Sequence, residues 1–189
     1  MLKPVPMACY RCRKLSDTAK TCPACRSSSD LFSVHAATVY EGLAKDLVWQ
    51  LKFQGAQAAA EEMADMLRRF VPNHPDFVIV PVPTATSRIR RRGYDQAALI
   101  ARSLADKTGV QYAPALRRSG QHHQVGSSRT ERIQQLKSAY RVARPTDIAN
   151  KHVLLVDDVL TTGATLEAAA KAMRAAGAKR VSGLVFARA

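Results

Sequence analysis

The stretch HVLLVDDVLTTGATL, residues 152–166, decides the fold. Four apolar residues, 153–156, run into two adjacent carboxylates, Asp157 and Asp158. A short apolar run of this kind reads as a strand buried on both faces, as in a parallel sheet. Thr161, Thr162, Gly163, Ala164 and Thr165 follow as a small, hydroxyl-bearing loop. A helix pattern over 164–176 comes next, with Leu166, Ala169, Ala170 and Met173 on one face and Gly177 as its stop. Ligands of open α/β sheets bind outside the carboxyl ends of the strands, where this pattern places the two acids. A Thr- and Gly-rich turn leading into a helix lets backbone N–H groups converge on a phosphate, and the helix dipole favours the negative charge. Carboxylates do not favour a phosphate, but they accept hydrogen bonds from neutral hydroxyls such as a sugar diol. The stretch therefore reads as a pocket for a sugar phosphate.

Working outward, the same alternation of strand and helix recurs. Strand candidates lie at 35–40, 76–83, 110–116, 139–143 and 180–188. Helix candidates lie at 42–53, with Leu43, Leu47, Val48 and Leu51 as its apolar face, and at 56–70, 94–108 and 130–138. A basic loop is expected between 84 and 93, and a mobile one over 117–129. Apolar strands alternating with amphipathic helices predict an α/β fold, an open and mostly parallel sheet with flanking helices. The Asp-Asp pair also suits the metal-binding strand of a nucleotide triphosphatase, but no G-x-x-x-x-G-K-[ST] stands upstream, and no G-x-G-x-x-G is present. A receiver-type acidic pocket would have its acids near the start of the chain.

The chain has 189 residues, 47% of them hydrophobic and 23% charged, which suits one ordinary core with a small appendage. No apolar run reaches the roughly 20 residues that span a bilayer. The opening residues carry two prolines and no apolar core of a signal peptide, so a cytoplasmic protein without membrane insertion is expected. Net charge is +14, and residues 84–132 supply +7 of it. Such a field draws in phosphates, nucleic acid or acidic partners. Arg90, Arg91, Arg92, Arg117 and Arg118 are the nucleic-acid candidates, although this region holds only one aromatic in its first basic loop, Tyr94.

All four cysteines fall in the first 25 residues. Cys9, Cys12, Cys22 and Cys25 make C-x2-C-x9-C-x2-C. Two such knuckles supply four soft ligands to one tetrahedral ion, zinc foremost and an iron–sulfur centre as the rival. With every position filled by protein, the site is structural. A segment this short has little core of its own and depends on the ion to fold. The expected division is a zinc ribbon over 1–30 and an α/β domain over 31–189.

The segment VLLVDDVLTTGAT resembles the phosphoribosyl pyrophosphate (PRPP) motif of type I phosphoribosyltransferases. The whole chain resembles the ComF family of competence proteins, also called amidophosphoribosyltransferase-like. The likeness runs through the four cysteines, LKFQG (51–55), PVPTATSRIRRRGYDQA (81–97), QVGSSRTER (124–132), the PRPP motif and the closing VFARA. It implies that Asp157 and Asp158 hold the ribose 2- and 3-hydroxyls and that Thr161, Thr162, Gly163, Ala164 and Thr165 hold the 5-phosphate. It also implies a pyrophosphate loop at Pro83, Thr84 and Arg88, with Lys52 a further phosphate candidate. Residues 117–132 match a hood from which Arg129 and Arg132 reach the pyrophosphate; His122 and His123 read as solvated loop residues. Mg²⁺ is expected with PRPP. Two readings follow from the likeness. One is a transferase displacing pyrophosphate onto an unidentified acceptor. The other is a non-catalytic, PRPP-sensing factor that binds single-stranded DNA during uptake and works with a competence helicase or another uptake protein.

Overall fold

The computed structural model describes residues 2–118 and 139–189. Its elements are α1 (Pro23–Arg26), β1 (Val34–Val39), α2 (Leu43–Phe53), α3 (Ala59–Leu67), β2 (Phe77–Pro81), α4 (Thr86–Arg92), α5 (Gln96–Thr108), β3 (Gln111–Tyr112), β4 (Leu116–Arg118), β5 (Tyr140–Val142), β6 (His152–Leu160), α6 (Ala164–Ala175) and β7 (Arg180–Arg188). Strands β1, β7, β6, β2 and β3 pair side by side in that order, all parallel. Strands β4 and β5 form a separate antiparallel pair.

The run at 153–156 explains why β6 lies inside the sheet. Successive strand side chains point to opposite faces. Val153 and Leu155 join one core, with Leu166, Ala169, Ala170 and Met173 of α6. Leu154 and Val156 join the other, with Val48 and Leu51 of α2, Met63 and Leu67 of α3, and Ile100 and Leu104 of α5. Both faces being covered, every residue of the run must be apolar. The chain leaves β2 through α5 toward β3 at one edge, and leaves β6 through α6 toward β7 on the opposite side. The winding therefore reverses between β2 and β6. Their carboxyl ends splay apart there, which is where open sheets bind ligands.

The cysteine segment is sewn onto this sheet. The N–H of Phe32 donates to the Val181 carbonyl at 2.7 Å, and that of Val34 to the Ala19 carbonyl at 3.1 Å. Tyr10 and Leu31 are buried in the same core as α6.

Several expected boundaries shift. Residues 86–92 form the helix α4 rather than a loop, closed by Gly93 in the left-handed conformation at φ +88. It buries no residue, so no apolar stripe announced it. The strand expected at 110–116 pairs with β2 only at Gln111–Tyr112, because Pro114 lacks an N–H and turns the chain away. Leu116–Arg118 then pairs with β5, so Arg117 and Arg118 belong to a strand and not to the loop expected from 117. The helix of 56–70 is α-helical over Ala59–Leu67 and ends in a 3₁₀ turn, Arg68–Phe70. On α2 the buried stripe is Ala44, Val48 and Leu51, while Leu43 is 50% exposed. Strand β6 continues to Leu160, two residues beyond the acid pair. The expected helix at 130–138 and the hood residues His122, His123, Arg129 and Arg132 lie outside the described residues.

Candidate functional site

A cavity of about 300 Å³ opens at the reversal point between β2 and β6. Strand β6 contributes Asp157 and Asp158, the loop after it contributes Thr161, and the first turn of α6 contributes Thr165. The loop after β2 contributes Pro83 and Thr84, α4 contributes Arg88, and α2 contributes Lys52. Thus eight of the expected ligand-binding residues meet in one place. Thr162 and Gly163 of that loop, and Ala164 at the start of α6, do not line the cavity wall. Arg90 and Arg91 are exposed on α4, away from the wall. Arg118, expected on the basic surface, lines the cavity from β4; among the described residues its buried Nε has no hydrogen-bond partner.

The acid pair is electrostatically loaded. Asp158 is 5% exposed. Its Oδ2 has the Lys52 ammonium at 2.8 Å, placed as an ion pair but off the line of a hydrogen bond. Asp157 accepts the backbone N–H of Asp158 on Oδ1 at 2.8 Å. Burial and then the neighbouring Asp158 charge hold the Asp157 carboxyl well above the usual carboxylate range; the Asp158 N–H and Lys52 oppose that rise. A group poised this way gains from any ligand that brings hydroxyl donors or positive charge.

The loop that follows presents backbone donors without protein acceptors among the described residues. Gly163, at φ +82, is the N-cap of α6 and lacks a side-chain cap. Among the described residues, the N–H groups of Thr161, Thr162 and Gly163 donate to no protein acceptor. Free donors at a helix N-terminus are the usual cradle of a phosphate.

The opposite wall is pinned by a residue the motif did not single out. Asp95 caps α5 through the Ala97 N–H at 3.1 Å. It also accepts from the Thr84 N–H at 3.0 Å and the Thr84 hydroxyl at 3.1 Å. The loop after β2 is thereby fixed to the start of α5. An Asp directly before a helical pattern is a readable N-cap, so this role could have been found. Tyr40, Gln96 and Tyr140 also line the cavity. Burial pushes the Tyr140 hydroxyl up, against the pull of Arg118. Nothing local in the sequence marks these three.

The four thiols converge as well. Their sulfurs all lie within 4.8 Å of one another, and those of Cys12 and Cys22 are 3.5 Å apart. Four thiolates about 2.3 Å from a tetrahedral ion would sit about 3.8 Å apart, so the cluster can hold a metal ion. Burial alone would raise the Cys9 thiol. Hydrogen bonds from the Cys12, Cys22 and Arg11 backbone and from the Cys12 thiol bring it down to about 6. Cys25 is pushed up to about 12, first by its hydrogen bond with Cys22. No helix among the described residues is long and apolar enough to cross a membrane.

The chain is similar to known proteins. Residues 52–189 match the model of the phosphoribosyl transferase domain. The chain is 28% identical to the competence protein ComFC of Bacillus subtilis (strain 168), over 92% of this chain and 80% of that protein. It is 26% identical to the competence protein ComFC of Streptococcus pneumoniae, over 92% of this chain and 77% of that one. In fold it is similar to the glutamine PRPP amidotransferase of B. subtilis complexed with ADP and GMP. The TM-score is 0.50 and the identity 21%, over 68% of this chain and 26% of the longer one.

Proposed function

The chain belongs to the phosphoribosyl transferase domain family, with ComF competence proteins among its relatives, and from that premise we propose that its cavity binds PRPP. The observation that carries the reading is one cavity holding an acid pair, a phosphate-type loop and a cationic wall at the reversal point of the sheet. Asp157 and Asp158 accept the ribose hydroxyls. The loop over 161–165 takes the 5-phosphate on its free N–H groups and hydroxyls. Pro83, Thr84 and Arg88 face the pyrophosphate, and the half-buried Arg118 adds a guanidinium at the cavity wall suited to an anionic acceptor. Lys52 stays within 2.8 Å of the Asp158 carboxylate at the edge of the cavity. Mg²⁺, when bound, neutralises the pyrophosphate; Asp157 and Asp158 are the carboxylates that would face it.

The reaction this supports is displacement at ribose C1. The bond from C1 to pyrophosphate breaks, and the acceptor's lone pair forms the new bond and sheds its proton. The chain's contribution is a clamp on the leaving group and a fixed sugar. A pyrophosphate-release assay with PRPP, run against bases, amines and DNA, tests it. Release with one acceptor establishes the transferase; tight PRPP binding without release with any of them assigns the cavity to sensing. Zinc is the ion we place in the thiol cluster, in a ribbon of residues 1–30 beside the domain of 31–189. We place the protein in the cytoplasm, in DNA uptake, next to a competence helicase or another uptake protein.

A second reading, single-stranded DNA binding, has its own observation. Trp49 and Phe53 on α2 are 52% and 60% exposed, with ring centroids 6.4 Å apart. The Arg92 guanidinium lies 5.8 Å over the Phe53 ring, and Arg90 and Arg91 are exposed on the same helix. Tyr94 is not free for this role, since its hydroxyl donates to the Leu51 carbonyl. Exposed rings beside guanidiniums are what sequence-tolerant strand binding uses, at about 1–3 kcal/mol per stacked base. Trp49→Ala with Phe53→Ala is expected to weaken binding of an oligo-dT strand by about tenfold or more in fluorescence anisotropy, with affinity falling steeply in salt. An unchanged affinity in that variant would remove these rings from the interface.

A further inference from the structure

The cysteine segment and the phosphate-type loop share a wall. Tyr10 stands between the ligands Cys9 and Cys12 and is 4% exposed. Its ring lies against Gly163: a Cβ added there would come within 2.9 Å of Tyr10 Cε2 and 3.1 Å of Cδ2. The Tyr10 hydroxyl donates to Glu167 Oε1, in the first turn of α6, and meets the Ser29 hydroxyl at 2.9 Å. Ser29 donates to that same oxygen, and the Asp30 N–H reaches Glu167 Oε2 at 3.2 Å. Both oxygens of Glu167 are therefore bound by residues 10–30. These contacts span some 150 residues of sequence and converge on one loop and one helix turn.

The arrangement has an electrostatic side. A carboxylate in the first turn of α6 competes with any phosphate at that helix N-terminus. Donors from the cysteine segment hold the Glu167 carboxylate on their own side. Burial pushes its pKa up, while the Asp30 N–H opposes this.

We propose that the four-cysteine segment positions the phosphate loop, with Tyr10 as the positioning residue: filling the thiol cluster seats the ring against Gly163, and the loop then takes a phosphomonoester. The ligand's identity rests on the PRPP reading above. Metal in the ribbon and ligand in the cavity become thermodynamically linked, since each favours the same placement of Tyr10 and Glu167.

Two probes separate the ends of the cavity. Ribose 5-phosphate reports on the phosphate loop, and Mg²⁺-pyrophosphate reports on the wall at Pro83, Thr84 and Arg88. By calorimetry, Tyr10→Ala and chelator-stripped wild-type protein are expected to bind ribose 5-phosphate about tenfold or more weakly, with pyrophosphate affinity within about twofold of the loaded wild type. Tyr10→Phe keeps the ring and the core volume, and is expected to lose about threefold on ribose 5-phosphate through its lost tether to Glu167. General loss of packing would weaken both probes together, an outcome that overturns the inference. So would wild-type affinity for ribose 5-phosphate in Tyr10→Phe and in the stripped protein. Should the loaded wild type bind pyrophosphate and PRPP but not ribose 5-phosphate, the loop assignment falls. Should it bind none of the three, the PRPP reading fails first.

Discussion

Replacing both acids, Asp157→Asn with Asp158→Asn, abolishes Mg²⁺-dependent PRPP binding. Calorimetry is expected to show saturable binding to the wild type and a loss of about 100-fold or more in the double variant. Hydrogen bonds to charged groups contribute about 1.5–3 kcal/mol each, and two acids contribute two. The same experiment carries a pH signature. Asp157 is held well above the usual carboxylate range by burial and by Asp158. Ligand-free protein therefore retains a proton there at pH values where an ordinary aspartate has lost it. Hydroxyl donors and Mg²⁺ favour the ionised form, so binding releases the proton. Affinity should rise with pH up to the raised pKa of the free protein and flatten above it. Calorimetry in buffers of different ionisation enthalpy measures the released proton, and the double variant should release none.

Folding responds with a fixed sign. A carboxyl whose folded-state pKa is raised adds stability below its ordinary pKa, and that contribution is lost as pH rises through the raised value. The amide pair has neither the titration nor the repulsion. Its melting temperature should match or exceed that of the wild type at neutral pH, since Lys52 remains partly solvated. Loss of ligand without loss of stability assigns the acids to binding. Wild-type affinity in the double variant would refute the pocket.

The parts of this molecule that were legible in sequence are those in which local pattern and tertiary role coincide. The run at 153–156 is buried on both faces, so its composition alone announced a central strand. The cysteine spacing announced a cluster because each knuckle is local. The helix expected at 94–108 is α5, Gln96–Thr108, and a glycine, Gly109, stands at its end in the left-handed conformation. What stayed hidden depends on contacts far apart in the chain. Helix α4 buries nothing and has no periodicity to read. Arg118 enters the cavity only because Pro114 turns the chain out of the sheet. Trp49 and Phe53 lie on a helix that was expected, but the buried stripe of α2 is rotated to Ala44, Val48 and Leu51, and only that rotation leaves the two rings in solvent. Gly163 reads as a residue kept small for a ligand, yet its nearest neighbour is Tyr10, from the other end of the chain.

That last contact gives the second large effect. Cys9→Ser is expected to empty the thiol cluster and to destabilise the whole molecule rather than the first 30 residues alone. Cys9 is fully buried, and serine keeps its size while replacing a thiolate with a hydroxyl that does not ionise near neutrality. Structural zinc contributes about 10–16 kcal/mol in isolated finger peptides, an upper bound here because part of the segment is also held by its packing on the sheet. A third of that range, about 4 kcal/mol, would lower the melting temperature of a chain this size by about 8–16 °C. The loss should spread because Tyr10 and Leu31 share a core with Leu166, Ala169 and Met173 of α6. Elemental analysis is expected to find one metal ion per wild-type chain and almost none in the variant. A variant that keeps its metal would show that three thiols suffice. One that loses the metal but melts within about 2 °C of the wild type would show that the ribbon is an appendage. Between those results stands the expected one, in which the cysteine segment is a structural wall of the ligand site, so that a change of one sulfur reaches the loop beside Asp157 and Asp158.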